Sequence, residues 1–350
     1  MKRNECCPSC GSDEVLYTPK RQEWRCDACG RRWQPERSPE TAEYAGETAE
    51  GEAPAGEPGL EAQWPSALAV AWGEYRREEH PVQKLWAAAE FVETVARFAV
   101  MLRAGELAGA KGVLPQEAAA RVADYVELPT LAKWRAAAGE LVSAGEASVF
   151  AVELEPFLRG RLFPLIDGRK PRRERSPENS FLALRNFLAH GGALSKRAGA
   201  RYLTLWSEAI ETVAEALGWA AEITVAVRTD SGWVSLVGPG SEAVGLSAVE
   251  RALAEAAGAP AAALRGERSI PLYPLLAYGP AVPPGAERMR QAGEAAPHMY
   301  MRREEGMLHY VALGHERAPV SVGTREAGEA FEALFRLGER REGRSRNLST

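Results

Sequence analysis

Apolar residues recur every three to four positions from residue 62 to 219, and in short runs between turn residues from Ala221 onward. The first pattern predicts helices. Ser66 caps a helix through about Glu79, and Pro81, at a first turn, opens another that runs to about Arg103. The stripe Leu85, Ala89, Val92, Val95, Phe98, Ala99 and Leu102 marks this second helix as central, with Glu90 and Glu93 carried on it. Further helices are expected near 115–126, from Pro129-Thr130 to 143, and over 147–159, 178–190 and 196–217. The second pattern predicts a small α+β unit. Runs at 223–227 and 233–237 flank Thr229-Asp230-Ser231-Gly232, a hairpin signal. A helix over 246–257, strands over 269–278, 298–303 and 307–313, and a closing helix over 325–341 complete it.

The first 33 residues obey neither pattern. All five cysteines of the 350-residue chain lie there, and the rest of the chain has none. Cys7-x2-Cys10 and Cys26-x2-Cys29 are two thiolate pairs that can close a tetrahedral zinc site. Cys6 is the spare, and Cys6 in place of Cys7 gives a less common spacing. Four thiolates leave no open coordination position, so the zinc is expected to be structural. Short strands around Val15-Leu16-Tyr17 and Glu23-Trp24-Arg25 fit a zinc ribbon. Its Lys20, Arg21, Trp24, Arg25, Arg31, Arg32 and Trp33 suit phosphates and stacked bases, although Trp24 and Trp33 also serve as the only core available to so small a unit.

Charge divides the chain further. Residues 34–61 hold eight Glu against one Arg and almost nothing apolar, so an acidic disordered linker acting as a tether is expected. From Arg159 to Arg175 the balance reverses. Arg169, Lys170, Arg172, Arg173 and Arg175 form a basic loop before the helix over 178–190, and are the candidate RNA-backbone contacts; a merely solvated loop is the alternative. The net charge of −5 excludes a chain that binds nucleic acid through its overall charge. With no run of 18 apolar residues and no apolar segment at the N-terminus, a cytoplasmic protein without membrane attachment is expected.

The helix over 178–190 carries the candidate chemistry. Phe181, Leu184 and Leu188 form its core stripe, Asn186 and His190 share a face, and Gly191-Gly192 stop it. The run Leu184-Arg185-Asn186-Phe187-Leu188-Ala189-His190-Gly191 resembles the Arg-x4-His signature of the HEPN superfamily, in its Arg-Asn-x3-His form. That resemblance implies a small helical bundle and a metal-independent endoribonuclease paired across a homodimer. The catalytic residues would be Arg185, Asn186 and His190, and RNA would be cut to a 2′,3′-cyclic phosphate. An acidic residue from an early helix is often added in the family, and Glu90 and Glu93 are both available. HEPN ribonucleases often act as toxins or defence effectors. Two other classes compete: a catalytically inactive sensor or adaptor, and a nucleic-acid-binding regulator working through ribbon and basic loop. The expected architecture is multidomain: zinc ribbon (1–33), acidic linker (34–61), all-α HEPN-like bundle (62–219), α+β module open to a protein partner (220–342) and tail (343–350).

Overall fold

A computed structural model describes residues 7, 9–10, 15–18, 23–26, 28–33, 59–145, 148–168, 174–190, 194–239, 243–280, 295–312 and 320–337. Its centre is helical. Helix α1 (Ser66–Arg77) packs on α2 (Pro81–Ala108), and α3 (Gln116–Val126), α4 (Leu131–Ser143), α5 (Ala151–Phe157), α6 (Phe163–Asp167), α7 (Phe181–Ala189) and α8 (Lys196–Glu215) surround it. Helix α2 is apolar nearly all round, and such a helix belongs inside a core. Phe91, Val92, Ala96, Val100 and Leu102 are fully buried on it.

Two differences from the sequence pattern have clear causes. Helix α2 runs past Arg103 and through Gly105, because the absent side chain is needed: a Cβ there would lie 2.1 Å from the Pro271 carbonyl oxygen. Likewise, α5 continues through a π-helical turn (Leu158–Leu162) into α6, so Arg159 and Arg161 sit on helix, where a loop is expected. Leu158, Leu162, Leu165 and Ile166 are buried there, but Arg, Gly and Pro between them disguise the periodicity.

The C-terminal half is strand-rich. Strands β5 (Thr224–Thr229), β6 (Gly232–Leu236), β7 (Ala243–Gly245), β8 (Ala261–Arg265) and β9 (Arg268–Pro271) form an antiparallel sheet of order β7-β6-β5-β8-β9, with helix α9 (Ala248–Ala256) on one face. Strands β10 (Leu276–Pro280), β11 (Ala295–Glu304), β12 (Met307–Ala312) and β13 (Val320–Val322) follow in order as a second antiparallel sheet, and α10 (Arg325–Leu334) closes on it. The expected strand over 269–278 is therefore two, split by Leu272–Leu275, with Pro271 just before the break and Pro274 within it, two residues that bring no backbone donor to a ladder.

One hydrophobic core runs from the helices into both sheets. It joins Phe98 and Val122 to Val225, Ile270, Tyr300 and Phe331. Polar ties reinforce it. The Tyr300 hydroxyl donates to the Val126 carbonyl at 2.5 Å, and the Arg265 guanidinium bridges Glu153 and Glu222 at 2.8 and 2.6 Å. Buried Arg303 pairs with Glu127 at 3.2 Å and with Glu332.

At the other end, β1 (Val15–Thr18), β2 (Glu23–Cys26) and β3 (Arg32–Trp33) form an antiparallel sheet around the cysteines. This sheet does not stand apart from the helical region. Strand β1 also pairs with β4 (Leu194–Ser195), placing Leu16 opposite Ser195 and Tyr17 opposite Leu194. Most of the acidic stretch lies outside the described residues, which resume at Gly59, just ahead of a short 3₁₀ turn, Leu60–Gln63. Among the described residues no helix is long and apolar enough to cross a membrane.

Candidate functional site

Helix α7 is held at its start. The Ser180 side chain accepts from the Ala183 N–H at 3.4 Å and donates to the Ile166 carbonyl at 3.1 Å, so one hydroxyl caps α7 and fastens it to α6. Gly168 (φ 74°) lets the chain pass this point, since a Cβ would meet the Asn179 carbonyl oxygen at 1.8 Å. From α8, Trp206 Nε1 donates to the Pro177 carbonyl at 2.9 Å, and its ring meets Phe181 edge-on. Phe181, Leu184 and Leu188 fill the core, so the azimuth of α7 is set and Arg185 is turned toward α2.

There Arg185 meets a cluster of charges midway along the largely apolar α2. Its Nη2 lies 3.1 Å from Glu93 Oε2, and the other oxygen of Glu93 takes the Arg97 guanidinium. A buried charge without a partner is costly, so these three groups hold one another in place. Burial alone would raise the Glu93 carboxyl, but the charges of Arg97 and Arg185 outweigh it and hold Glu93 below the usual carboxylate range. Glu90, one turn earlier, is exposed as a residue, yet its carboxyl is crowded by protein. That desolvation raises it above the usual range; Arg97 and Arg185 oppose the shift and the charge of Glu93 adds to it.

His190 occupies the end position of α7 and is exposed. Its backbone N–H donates to the Asn186 carbonyl at 2.9 Å, so these two residues are linked through the main chain. Neither side chain has a hydrogen bond to a described residue. Phe187, between them, is 38% exposed, an uncovered aromatic beside the candidate site. Residues 191–193 lie outside the described residues, and β4 begins at Leu194.

The basic loop is divided. Arg169, Lys170, Arg172 and Arg173 lie outside the described residues. Arg175 is turned inward: it stands 3.5 Å from Asp167, which Arg135 also holds at 2.6 Å. This pair links the segment before α7 to the end of α6.

The four cysteines come together. Their Sγ atoms all lie within 4.8 Å of one another, with Cys7 to Cys29 at 3.6 Å and Cys10 to Cys26 at 3.5 Å. A tetrahedral zinc with sulfur ligands at about 2.3 Å needs sulfurs about 3.8 Å apart, so the set fits such an ion. The Ser9 N–H donates to Cys7 Sγ at 3.4 Å. Burial opposes ionisation of Cys7, but hydrogen bonds from Ser9 and Cys10 N–H and from the neighbouring thiols bring it down to about 6. Cys6 lies outside the described residues. Trp33 packs on Cys7, Val15 and Cys26, which gives it a core role; Arg32 reaches Glu23 at 3.3 Å, and Arg25 and Arg31 are exposed.

Sequence reasoning left Glu90 and Glu93 undivided and passed over Arg97. The signal was present: Glu93 and Arg97, one helical turn apart, are charges inside a stripe with no other reason to hold them. Compared with protein-family models, with curated proteins and with solved structures, the chain matches none.

Proposed function

We propose that this chain is a metal-independent endoribonuclease of HEPN type, with a structural zinc ribbon at its N-terminus. The observation that carries the reading is the placement of Arg185. Of the residues in its motif, it alone is drawn into a buried ion-pair cluster, while His190 stands exposed at the end of the same helix.

RNA supplies its own nucleophile. The 2′-hydroxyl attacks the adjacent phosphorus, the bond to the 5′-oxygen breaks, and a 2′,3′-cyclic phosphate remains. Such a step needs a base for the 2′ proton, an acid for the leaving oxygen and a cation for the phosphorane charge. His190 is the exposed proton carrier, and the raised carboxyl of Glu90 is a second candidate. Arg185, steadied by Glu93 and partly exposed, is the cation for the phosphate. Asn186 contributes an amide at the same helix end. No metal is required, since each task has a side chain. Exposed Phe187 suits a seam between two copies, so a cytoplasmic homodimer is part of the proposal.

A second reading draws on the same cluster. Glu93 already neutralises Arg185, which favours an inactive scaffold acting as a sensor, adaptor or RNA-binding regulator. One experiment separates them. Full-length protein is incubated with RNA in EDTA, beside Arg185→Ala and His190→Ala. Ribonuclease action predicts cleavage by the wild type, with each variant slower by on the order of 10²–10⁴. RNA binding without cleavage supports the regulator, and neither activity supports the adaptor. Cleavage by His190→Ala at the wild-type rate removes His190 from the mechanism.

A further inference from the structure

The sheet β7-β6-β5-β8-β9 is buried on both faces, and the two faces do different work. Val225, Val227 and Ala263 enter the main core, whereas Ala226, Trp233, Ala262 and Leu264 form a separate small core beneath α9. Helix α9 does not cover all of that second face. Between the end of the β5–β6 hairpin, the side of α9 and the turn into β8 lies a cleft of about 680 Å³, within the size range of small-molecule sites.

Its lining is chemically mixed in an informative way. Arg228 and Trp233 are directly opposed across the β5–β6 ladder, so they share this face and stand about 5 Å apart at Cβ. The Arg228 guanidinium has no partner among the described residues. Arg251 and Glu255, one turn apart on α9, face the cleft together, yet they form no ion pair; Arg251 makes only a long hydrogen bond, 3.4 Å, to the Leu246 carbonyl. At Gly232 and Gly258 a Cβ would meet nothing within 4 Å, so bare backbone leaves the cleft open there. Two exposed guanidinium groups on one cleft, without carboxylate partners among the described residues, leave positive charge there for an anion. A carboxylate on the same helix accepts N–H or O–H donors, and Trp233 with Pro260 gives an apolar wall.

We propose that this cleft is a binding site for a small phosphorylated ligand of nucleotide type. Its phosphate lies between Arg228 and Arg251, its ring lies against Pro260 beside the nearly buried Trp233, and its sugar or base donors reach Glu255. The site stands apart from Arg185 and His190 in the chain and does not depend on their role. It gives residues 220–342 a ligand-sensing task.

The test is calorimetric titration of the full chain with adenosine monophosphate and, separately, with inorganic phosphate. Expected is one adenosine monophosphate per chain, bound at least tenfold more tightly than phosphate. Arg228→Gln with Arg251→Gln should weaken it at least tenfold without changing the melting temperature, since both residues are exposed. Glu255→Ala should weaken adenosine monophosphate and spare phosphate, and Arg185→Ala with His190→Ala should leave both unchanged. The proposal is overturned if adenosine monophosphate gives no heat at millimolar concentration. It is equally overturned if the double arginine variant binds as the wild type does, or if loss of Arg185 and His190 abolishes binding.

Discussion

Arg185 on α7 and Glu93 on α2 are joined by an ion pair of 3.1 Å, although 92 positions separate them in the chain. Glu93 is the hub, because Arg97 shares its carboxylate. Removing it leaves two guanidinium groups facing each other in the protein interior. Glu93→Ala should therefore cost about 3–5 kcal/mol of unfolding free energy. Arg185→Met should cost less, since Glu93 keeps Arg97. Urea unfolding of both variants checks the order, and equal losses would show that Arg97 does not share the burden.

Glu90 and Glu93 should respond to pH in opposite directions. The lowered carboxyl of Glu93 adds stability above the ordinary value of 4.5, and this is lost as pH falls through its folded value. The raised carboxyl of Glu90 costs nothing below 4.5 and becomes a liability as pH rises through its folded value. Glu90→Gln should therefore raise the melting temperature at pH 8 and leave it nearly unchanged at pH 4. A gain confined to acid pH would reverse the assignment. If Glu90 also moves protons in RNA cleavage, the same variant loses activity while gaining stability.

The cysteine cluster should hold about one zinc per chain, measurable by metal analysis of protein purified without chelator. Cys26→Ser should release it. Because β1 is paired with β4, loss of the metal should reach beyond the N-terminal sheet and speed hydrogen exchange at Leu194 and Ser195. Exchange there that ignores the metal would mean that the two strands are not energetically joined.

Gly105→Val should separate the helical core from β9. Its side chain would be driven into the Pro271 carbonyl, at a cost of about 1–3 kcal/mol or more. Gly112→Ala, at a helix end with open space around it, is the control for backbone strain alone. If both variants lose the same stability by denaturant titration, the close approach of α2 to β9 contributes nothing.

How much of this was legible in the sequence depends on what each element rests on. Cysteine spacing carried the four-cysteine cluster, because two knuckles need only local geometry. The stripe from Leu85 to Leu102 carried α2, and Phe181, Leu184 and Leu188 carried α7. Strand β8 left no such trace. Alanine is a poor strand former, and Ala261–Ala263 is extended because Val227, Ala226 and Val225 pair with it. Strand β4, two residues long, exists only through its pairing with β1. The choice between Glu90 and Glu93 was hidden for a different reason. Both sit on one helix, and only the approach of a second helix, rotated by its own buried stripe, shows which carboxylate faces Arg185.

The pairing of Leu16 and Tyr17 with Ser195 and Leu194 is too small to hold two separate molecules together. Its persistence depends on connectivity, because a covalent leash turns docking into an intramolecular event at an effective concentration of about millimolar. In the sequence, residues 34–58 make that covalent connection. A single protease cut within it would exchange a unimolecular equilibrium for a bimolecular one and shed the four cysteines as a unit. The cut would be irreversible, and the edge it bares at Leu194 lies just beyond the helix that ends in His190. The stretch with the least chemistry of its own would then decide how long the N-terminal sheet stays beside the motif.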